Sequence, residues 1–226
     1  MTLRYQKHLL ALAALSCMAI PSFAAEPLKP VQAVTCEAPK YPSRSQKREE
    51  EGVSVLRFLI RADGAVADSV LLVSSGSTGL DRRAANALSK CVFKRASHVH
   101  ATADLWMRVA YQWSLIGNDE DDGSMIPAKR TAAQAAAKGD VDARYRLGLL
   151  LSVTAETDAE HQQALTVLRS AADLGHALAQ FDLGQHYEKG KWVKADLDEA
   201  LRWYKKSAAQ GEVLATQRLT LGILPD

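Results

Sequence analysis

The chain has 226 residues, of which 47% are hydrophobic and 24% are charged. This is an ordinary globular composition, and it argues against a disordered chain, a collagen and a polytopic membrane protein. The formal net charge is +2 at pH 7, too small for the basic field of a nucleic-acid binder. Residues 25–118 hold 13 basic and 9 acidic side chains, and residues 119–226 hold 13 and 17. This division predicts two bodies and no nucleic-acid partner.

The first residues have the pattern of an export signal. Arg4 and Lys7 precede an apolar run over residues 9–20, and a small-x-small cleavage site ends at Ala24. A membrane-spanning helix needs about 20 apolar residues, so this run is too short. We predict a signal peptide over 1–24, cleavage after Ala24, a periplasmic location and no integral membrane span in the mature chain. The alternative is an uncleaved anchor in the inner membrane.

Two cysteines, Cys36 and Cys91, follow the signal. An even pair in an oxidising compartment favours a disulfide over two buried thiols. The mature chain contains neither a third cysteine nor a CxxC pair. The sequence therefore predicts a Cys36–Cys91 bridge and does not indicate a cysteine-based zinc site.

Residues 36–116 have the pattern of a small α+β domain. Two runs rich in branched and aromatic residues flank Asp63-Gly64, a strong hairpin signal. Helical spacing follows, and then a run that alternates between apolar and polar residues. The predicted elements are a short helix over 42–50, strands over 53–60 and 66–73, a helix over 80–91 and a strand over 105–115.

Short motifs run through this segment. They are Tyr41-Pro42, Gly52, Asp63-Gly64, Ser75-Gly76 and Leu80-Asp81. Together they resemble the C-terminal domain of the TonB energy-transducer family. The resemblance implies a three-stranded antiparallel sheet with two helices on one face and the last strand at an edge. It also implies that this edge accepts an extended peptide by β-augmentation, in which unpaired backbone groups supply the affinity.

The last strand is the predicted peptide-binding site. Alternation directs its odd-numbered residues from 107 to 113 towards the helices and its even-numbered residues outward, where they would set the preference for a partner. The resemblance implies a protein or peptide partner, with an outer-membrane transporter or a periplasmic protein as candidates. The predicted site residues are Leu105, Trp106, Met107, Arg108, Val109, Ala110, Tyr111, Gln112 and Trp113.

The first strand is apolar on both faces. One face carries Val53, Val55 and Leu59, and the other carries Leu56, Phe58 and Ile60. Helices cover only one face of such a sheet, so a second body is one explanation for the other apolar face. High strand propensity at exposed positions is the alternative explanation. The sequence leaves both open.

Residues 117–126 are acidic and glycine-flanked, which predicts a solvated linker. The four consecutive acids lack the spacing of an EF-hand, so they do not indicate a calcium site. His98 and His100 alternate as two metal ligands would, but no third ligand is evident. The favoured interpretation is a solvated pair on a loop, with no metal and no cofactor.

Residues 127–226 contain a repeat with a period of 36. Its signature is Gly139, Gly175 and Gly211, with alanines and leucines at the same spacing. The best-preserved unit, residues 175–204, resembles the Sel-one-like repeat, a relative of the tetratricopeptide repeat. The resemblance implies an all-α array of helical hairpins, an architecture used mostly for protein binding.

The sequence predicts a non-enzymatic periplasmic adaptor, because no catalytic motif is present. One alternative is a membrane-anchored TonB-type energy transducer, and another is an exported hydrolase of the repeat family. The lead segment is short, and Ala38 stands at a position where the TonB family has a glutamine. For these two reasons the energy transducer is the less favoured function. The predicted domains are a signal peptide (1–24), a lead segment (25–35), a TonB C-terminal-like domain (36–116), an acidic linker (117–126) and α/α repeats (127–226).

We expect the mature protein to begin at Ala25, because the apolar run is short and the cleavage site follows it directly. Cell fractionation followed by N-terminal sequencing measures this. A full-length chain in the inner-membrane fraction would contradict cleavage and favour the energy transducer.

Overall fold

The computed structural model describes residues 31–95, 104–115 and 126–221. The predicted signal peptide, the His98–His100 pair and the acidic run over 117–124 lie outside the described residues. The first part contains β1 (Val31–Thr35), α1 (Ser43–Lys47), β2 (Gly52–Ile60), β3 (Val66–Val73), α2 (Thr78–Leu88), β4 (Val92–Arg95) and β5 (Leu105–Trp113). The second part contains α3 (Ile126–Ala137), α4 (Val141–Thr154), α5 (Asp158–Asp173), α6 (Ala177–Lys189), α7 (Leu197–Ala208) and α8 (Val213–Leu221).

The main sheet has the strand order β3-β2-β5. Strand β5 pairs antiparallel with β2 from Gly52 opposite Trp113 to Ile60 opposite Leu105, without a shift in register. Strand β3 pairs with the other side of β2, and its register shifts twice. The predicted three-stranded antiparallel sheet is therefore confirmed, and β5 is one of its two edges.

Helix α2 covers one face of this sheet. Its N-terminus is fixed by Ser77, whose hydroxyl accepts from the backbone N–H of Leu80. Leu80 and Leu88 then pack against Leu56 and Ile60 of β2, and all four side chains are at most 1% exposed. These residues form the core of the first domain, as the helical and alternating patterns predict.

The structure adds two strands that the sequence pattern did not predict. β1 and β4 pair antiparallel as a separate two-stranded sheet. β1 lies in the predicted lead segment, and both strands are too short for alternation to distinguish them from loops. The predicted disulfide is confirmed: Cys36 follows β1, Cys91 precedes β4, and their Cα atoms lie 4.4 Å apart. The bridge closes the end of this small sheet.

The helices of the second part are spaced by the 36-residue period. Helices α4, α6 and α8 begin at Val141, Ala177 and Val213. The preceding helices each end near a glycine with positive φ, which favours a residue without a Cβ atom. The predicted array of helical hairpins is therefore confirmed. Of the helices in the described ranges, none is both long and apolar enough to cross a bilayer.

The repeat array covers the second face of the sheet. Val53 and Val55 of β2 and Val73 of β3 are at most 6% exposed, and they share one core with Tyr145 and Leu150 of α4. The apolar second face of β2 is thus a packing surface. Of the two explanations that the sequence left open, the structure shows cover by a second body.

We expect the Cys36–Cys91 bridge to contribute about 4 kcal/mol to the free energy of unfolding, because it closes a long loop in the unfolded chain. The two cysteines are 55 residues apart. Chemical denaturation of the wild type and of Cys36→Ser/Cys91→Ser measures the difference. Mass spectrometry of the unreduced wild type is the control and should detect no free thiol. Equal unfolding midpoints for the two proteins would contradict a stabilising bridge.

Candidate protein-binding site

The edge strand β5 lies against the first helix of each repeat unit. The contacts come from Tyr145 of α4, Phe181 of α6 and Gln217 of α8, which occupy one repeat position because they are 36 residues apart. Tyr145 and Phe181 contact the side chain of Arg108, and Gln217 contacts the backbone of Trp106. One face of the array therefore packs along β5.

The centre of this contact is a buried ionic cluster. Arg108 Nη1 lies 2.5 Å from Asp182 Oδ1. The hydroxyl of Tyr145 donates to the other oxygen of Asp182 over 2.8 Å. The guanidinium carbon of Arg108 also lies 5.4 Å from the centre of the Phe181 ring. These contacts surround one arginine of the sheet with groups from two helices of the array.

Burial and charge act together on the titration of this cluster. Burial by itself would lower the pKa of Arg108, but Asp182 more than compensates, and the pKa lies above its ordinary value. Burial and then the charge of Asp182 raise the pKa of Tyr145 well above its ordinary value. Arg108 therefore stays charged and Tyr145 stays a hydroxyl donor over the physiological pH range.

A second arginine reinforces the contact. Arg57 of β2 lies directly opposite Arg108 across the sheet. Like charges in this position repel each other, but the array supplies a carboxylate for each of them. Arg57 Nη1 lies 3.5 Å from Glu212 Oε1, just before α8. The Arg57 guanidinium carbon also lies 4.9 Å from the centre of the Trp106 ring. The array thus neutralises both arginines.

The free edge of β5 is capped at one point by a side chain. The backbone N–H of Trp106 donates to Gln217 Oε1 over 2.7 Å, and Gln217 Nε2 donates to the backbone oxygen of Trp106 over 2.8 Å. The carboxamide thus pairs with the strand as a peptide group would. Both backbone groups of Trp106 therefore point away from β2.

The outward direction of the backbone groups of Trp106 recurs at every second residue of β5. Because the backbone groups of successive residues point to opposite sides, Arg108, Ala110 and Gln112 also direct their N–H and C=O groups away from β2. Within residues 31–95, 104–115 and 126–221, these backbone groups have no hydrogen-bond partner. Ala110 and Gln112 are exposed. Three residues of β5 thus have outward backbone groups that no described residue pairs with.

The structure corrects the expectation for the outward side chains. The residues with odd numbers, including Met107, Val109 and Tyr111, do lie on the α2 side of the sheet. On the other side, Trp106 and Arg108 meet the array rather than solvent. Those two side chains are occupied within the chain, because the array covers the face that the sequence prediction left outward. The backbone edge, not these side chains, remains available.

The motif residues support the fold around the end of β5. Buried Asp81 accepts from Ser54 Oγ, Ser74 Oγ and the N–H of Ser75, at 2.7, 2.6 and 2.9 Å. Ser54 Oγ in turn accepts from the indole N–H of Trp113 over 2.9 Å. This network links the start of α2 to β2 and β5.

The other motif residues are also structural. A Cβ on Gly52 would lie 2.2 Å from the carbonyl oxygen of Ser75, so only glycine allows this approach. The Tyr41 hydroxyl donates to the carbonyl of Glu50, and its ring meets Trp113 edge-on at 5.5 Å. Pro42 caps α1, Leu80 is buried, and Asp63, Gly64 and Gly76 lie in turns.

Burial and the charge of Glu51 and Glu50 raise the pKa of Tyr41 to about 12, so its hydroxyl remains a donor. The repeat aromatics Trp203 and Tyr204 are at most 4% exposed and act in packing. In the part of the chain that the structure describes, no three histidine, cysteine or acidic side chains form a group that could hold a metal ion. The hydroxyls of Ser54 and Ser74 donate to Asp81, and among the described residues no histidine hydrogen-bonds to this carboxylate.

The sequence analysis missed the residues that join the two domains. Tyr145, Phe181 and Gln217 differ in type, so they do not stand out beside the repeated glycines and alanines. They share one repeat position, but many positions vary between these units, so their residue types do not mark a contact with the sheet. The pairing of Arg57 with Arg108 could be read from the strand register once the sheet was known.

We expect Arg108→Met to lower the free energy of unfolding by about 3 kcal/mol, because it leaves Asp182 buried without its cation. Urea denaturation measures the loss. Adding Asp182→Asn to this variant should recover part of the loss, since residue 182 is then no longer a buried charge without a cation. The matched control is Arg202→Met, which removes an arginine from an exposed pair with Glu199 and should cost far less. Similar losses for both arginines would contradict a central role for Arg108.

The chain matches two families in succession. Residues 37–115 match the family described as Gram-negative bacterial TonB protein C-terminal. Residues 141–176 and 177–212 each match the Sel1 repeat. These two matches are the resemblances that the sequence motifs and the 36-residue period indicate.

Curated relatives match over fewer than half of the residues. DAP3-binding cell death enhancer 1 of Rattus norvegicus is 38% identical over 105 residues, which are 44% of this chain and 20% of the relative. The Mus musculus protein of the same name is 35% identical over 105 residues, with the same coverage. Chitin synthase regulator SKT5 of Saccharomyces cerevisiae is 36% identical over 107 residues, 46% of this chain and 15% of the relative. The chain thus spans about a fifth or less of these relatives.

Solved structures resemble each half. A Sel1 repeat protein from Oxalobacter formigenes is 34% identical with a TM-score of 0.34, over 37% of this chain and 63% of that one. The TonB C-terminal domain of Pseudomonas aeruginosa is 22% identical with a TM-score of 0.33, over 39% and 90%. A protective antigen of uropathogenic Escherichia coli with an SLR fold is 35% identical with a TM-score of 0.36, over 39% and 19%. The chain joins a TonB C-terminal-like domain to a pair of Sel1 repeats.

Proposed function

We propose that this protein is a non-enzymatic adaptor that binds an extended segment of another protein at the β5 edge. The observation that carries the proposal is the row of outward backbone groups at Arg108, Ala110 and Gln112. Unpaired N–H and C=O groups at a sheet edge are a template for an added strand. The TonB C-terminal and Sel1 matches support a role in protein interaction.

The packing around the edge supports the same role. Helix α2 covers one face of the sheet and the repeat array covers the other. Strand β5 is therefore supported by α2 on one side and, at Trp106 and Arg108, by the array on the other. A rigid edge loses little conformational entropy on binding, so each new hydrogen bond contributes more to affinity.

The proposal places the protein in the bacterial envelope. The TonB domain match suggests such a location, and the sequence pattern at residues 1–24 supports export to the periplasm with cleavage after Ala24. The proposed partner is a protein with an extended segment, either an outer-membrane transporter or a periplasmic protein. Strand addition itself requires neither a metal nor a cofactor.

The names of the curated relatives are consistent with a role in protein interaction. One relative is described as binding DAP3 and another as regulating chitin synthase. Both names describe action through a second protein. The repeats of this chain would contribute to binding by holding β5 in place.

We expect Ala110→Pro to abolish partner binding while the protein remains folded. The substitution removes an outward N–H and leaves the ladder between β5 and β2 intact, so the free energy of unfolding should fall by only about 1–2 kcal/mol. The measurement is photo-cross-linking in cells from a benzoylphenylalanine placed at Gln112. Mass spectrometry then identifies the captured protein.

The matched control is Ala110→Val, which keeps the N–H and adds side-chain bulk. It should retain the cross-linked product that Ala110→Pro loses. Circular dichroism establishes that each variant is folded. If folded Ala110→Pro yields the wild-type product, the β5 backbone is not the binding site, and the exposed surface of the helices becomes the candidate.

A further inference from the structure

The carboxamide of Gln217 makes the two hydrogen bonds that an added strand would make to Trp106. Its oxygen accepts the backbone N–H at 2.7 Å, and its nitrogen donates to the backbone oxygen at 2.8 Å. Gln217 lies on α8, which is held to the sheet side of the array by buried Leu214 and Ala215. The capping group is thus part of a packed helix.

This capping divides the edge into two parts. At Trp106 the outward backbone is already paired within the chain. From Arg108 to Gln112 the outward backbone is unpaired among the described residues, and Ala110 and Gln112 within this stretch are exposed. An incoming strand that stays clear of Gln217 therefore spans about five residues. An added strand that continued past Arg108 towards Trp106 would have to displace α8 or the side chain of Gln217.

We propose that Gln217 is a register stop, which confines an added strand to the outward backbone groups of Arg108, Ala110 and Gln112. The inference rests on the proposed function of the edge. It assigns to a residue of the repeat array a direct part in selecting the length and register of the partner segment.

The surroundings also define the chemistry of the segment. On the α2 side, an added strand lies beside the half-buried apolar residues Val109 and Tyr111. On the array side it lies beside the small side chain of Ala110 and the polar Gln112, while Arg108 is already paired with Asp182. The matching partner is a short extended segment whose residues alternate between apolar and polar, with an unblocked N–H at each position that faces Arg108, Ala110 or Gln112.

The first measurement uses the free protein. Amide hydrogen exchange at Trp106, resolved by NMR, is compared between the wild type and Gln217→Ala. We expect exchange at Trp106 to be about tenfold faster in the variant, because a hydrogen bond to this amide is lost. The matched control is Gln185→Ala, which removes a glutamine that contacts the Arg108 side chain and should leave Trp106 unchanged. Equal exchange in the wild type and Gln217→Ala would overturn the capping.

The second measurement adds two fluorescent peptides of alternating threonine and valine, one of five residues and one of nine. The wild type should bind both with similar affinity, and neither should alter exchange at Trp106. Gln217→Ala should bind the longer peptide about five- to tenfold more tightly than the shorter one, because one or two further net hydrogen bonds form. The longer peptide should then protect Trp106.

The outcomes distinguish a failure of the register stop from a failure of strand addition at β5. If the longer peptide protects Trp106 equally in the wild type and in Gln217→Ala, the register stop is wrong while strand addition at β5 stands. If neither peptide binds either protein, strand addition at this edge is wrong, and the register stop fails with it.

Discussion

Strand β2 is apolar on both faces, and the rest of the structure depends on the need to bury both. A sheet of three strands with one helical layer leaves such a strand half exposed, at a cost that grows with apolar area. Here α2 covers Leu56 and Ile60, and the repeat array covers Val53 and Val55. The two domains that the family matches separate are therefore joined through the apolar faces of β2, with further contacts from Val73 of β3 and from Trp106 and Arg108 of β5. The array is a structural layer of the sheet as well as a repeat scaffold.

The apolar contact alone would not fix how the array is oriented, since hydrophobic burial is not directional. The polar groups supply the direction. Arg108 reaches Asp182 on α6, and Arg57 reaches Glu212 before α8. A buried ion pair is a weak source of net stability, because desolvation offsets most of the attraction. Its effect is to penalise other orientations, in which one of these charges would be left buried without a partner. A sheet fixed in this way presents one defined edge.

The functional consequence is that α2 and the array cover the faces of the sheet and leave the edge of β5 uncovered. On β5 the array covers the side chains of Trp106 and Arg108, and the backbone at Trp106 is paired with Gln217. What remains is the short row of peptide groups from Arg108 to Gln112. The location of this edge in the last strand could be predicted from the motifs and the alternation. The point at which the unpaired edge ends could not be predicted, because Trp106 and Gln217 are 111 residues apart. No local pattern links a glutamine on a helix to a distant backbone.

The sequence by itself determined the two domains and their elements other than β1 and β4. Hairpin chemistry at Asp63-Gly64, alternation in β5 and the 36-residue period are local signals, and each depends only on neighbours along the chain. The sequence also predicted the pairing of Cys36 with Cys91, since these are the two cysteines that follow the predicted signal peptide. Only the tertiary structure decided that the array packs on β2, that Arg108 points into it and that Gln217 caps β5. These contacts join residues far apart in the chain, and side-chain burial there depends on which surfaces meet in three dimensions.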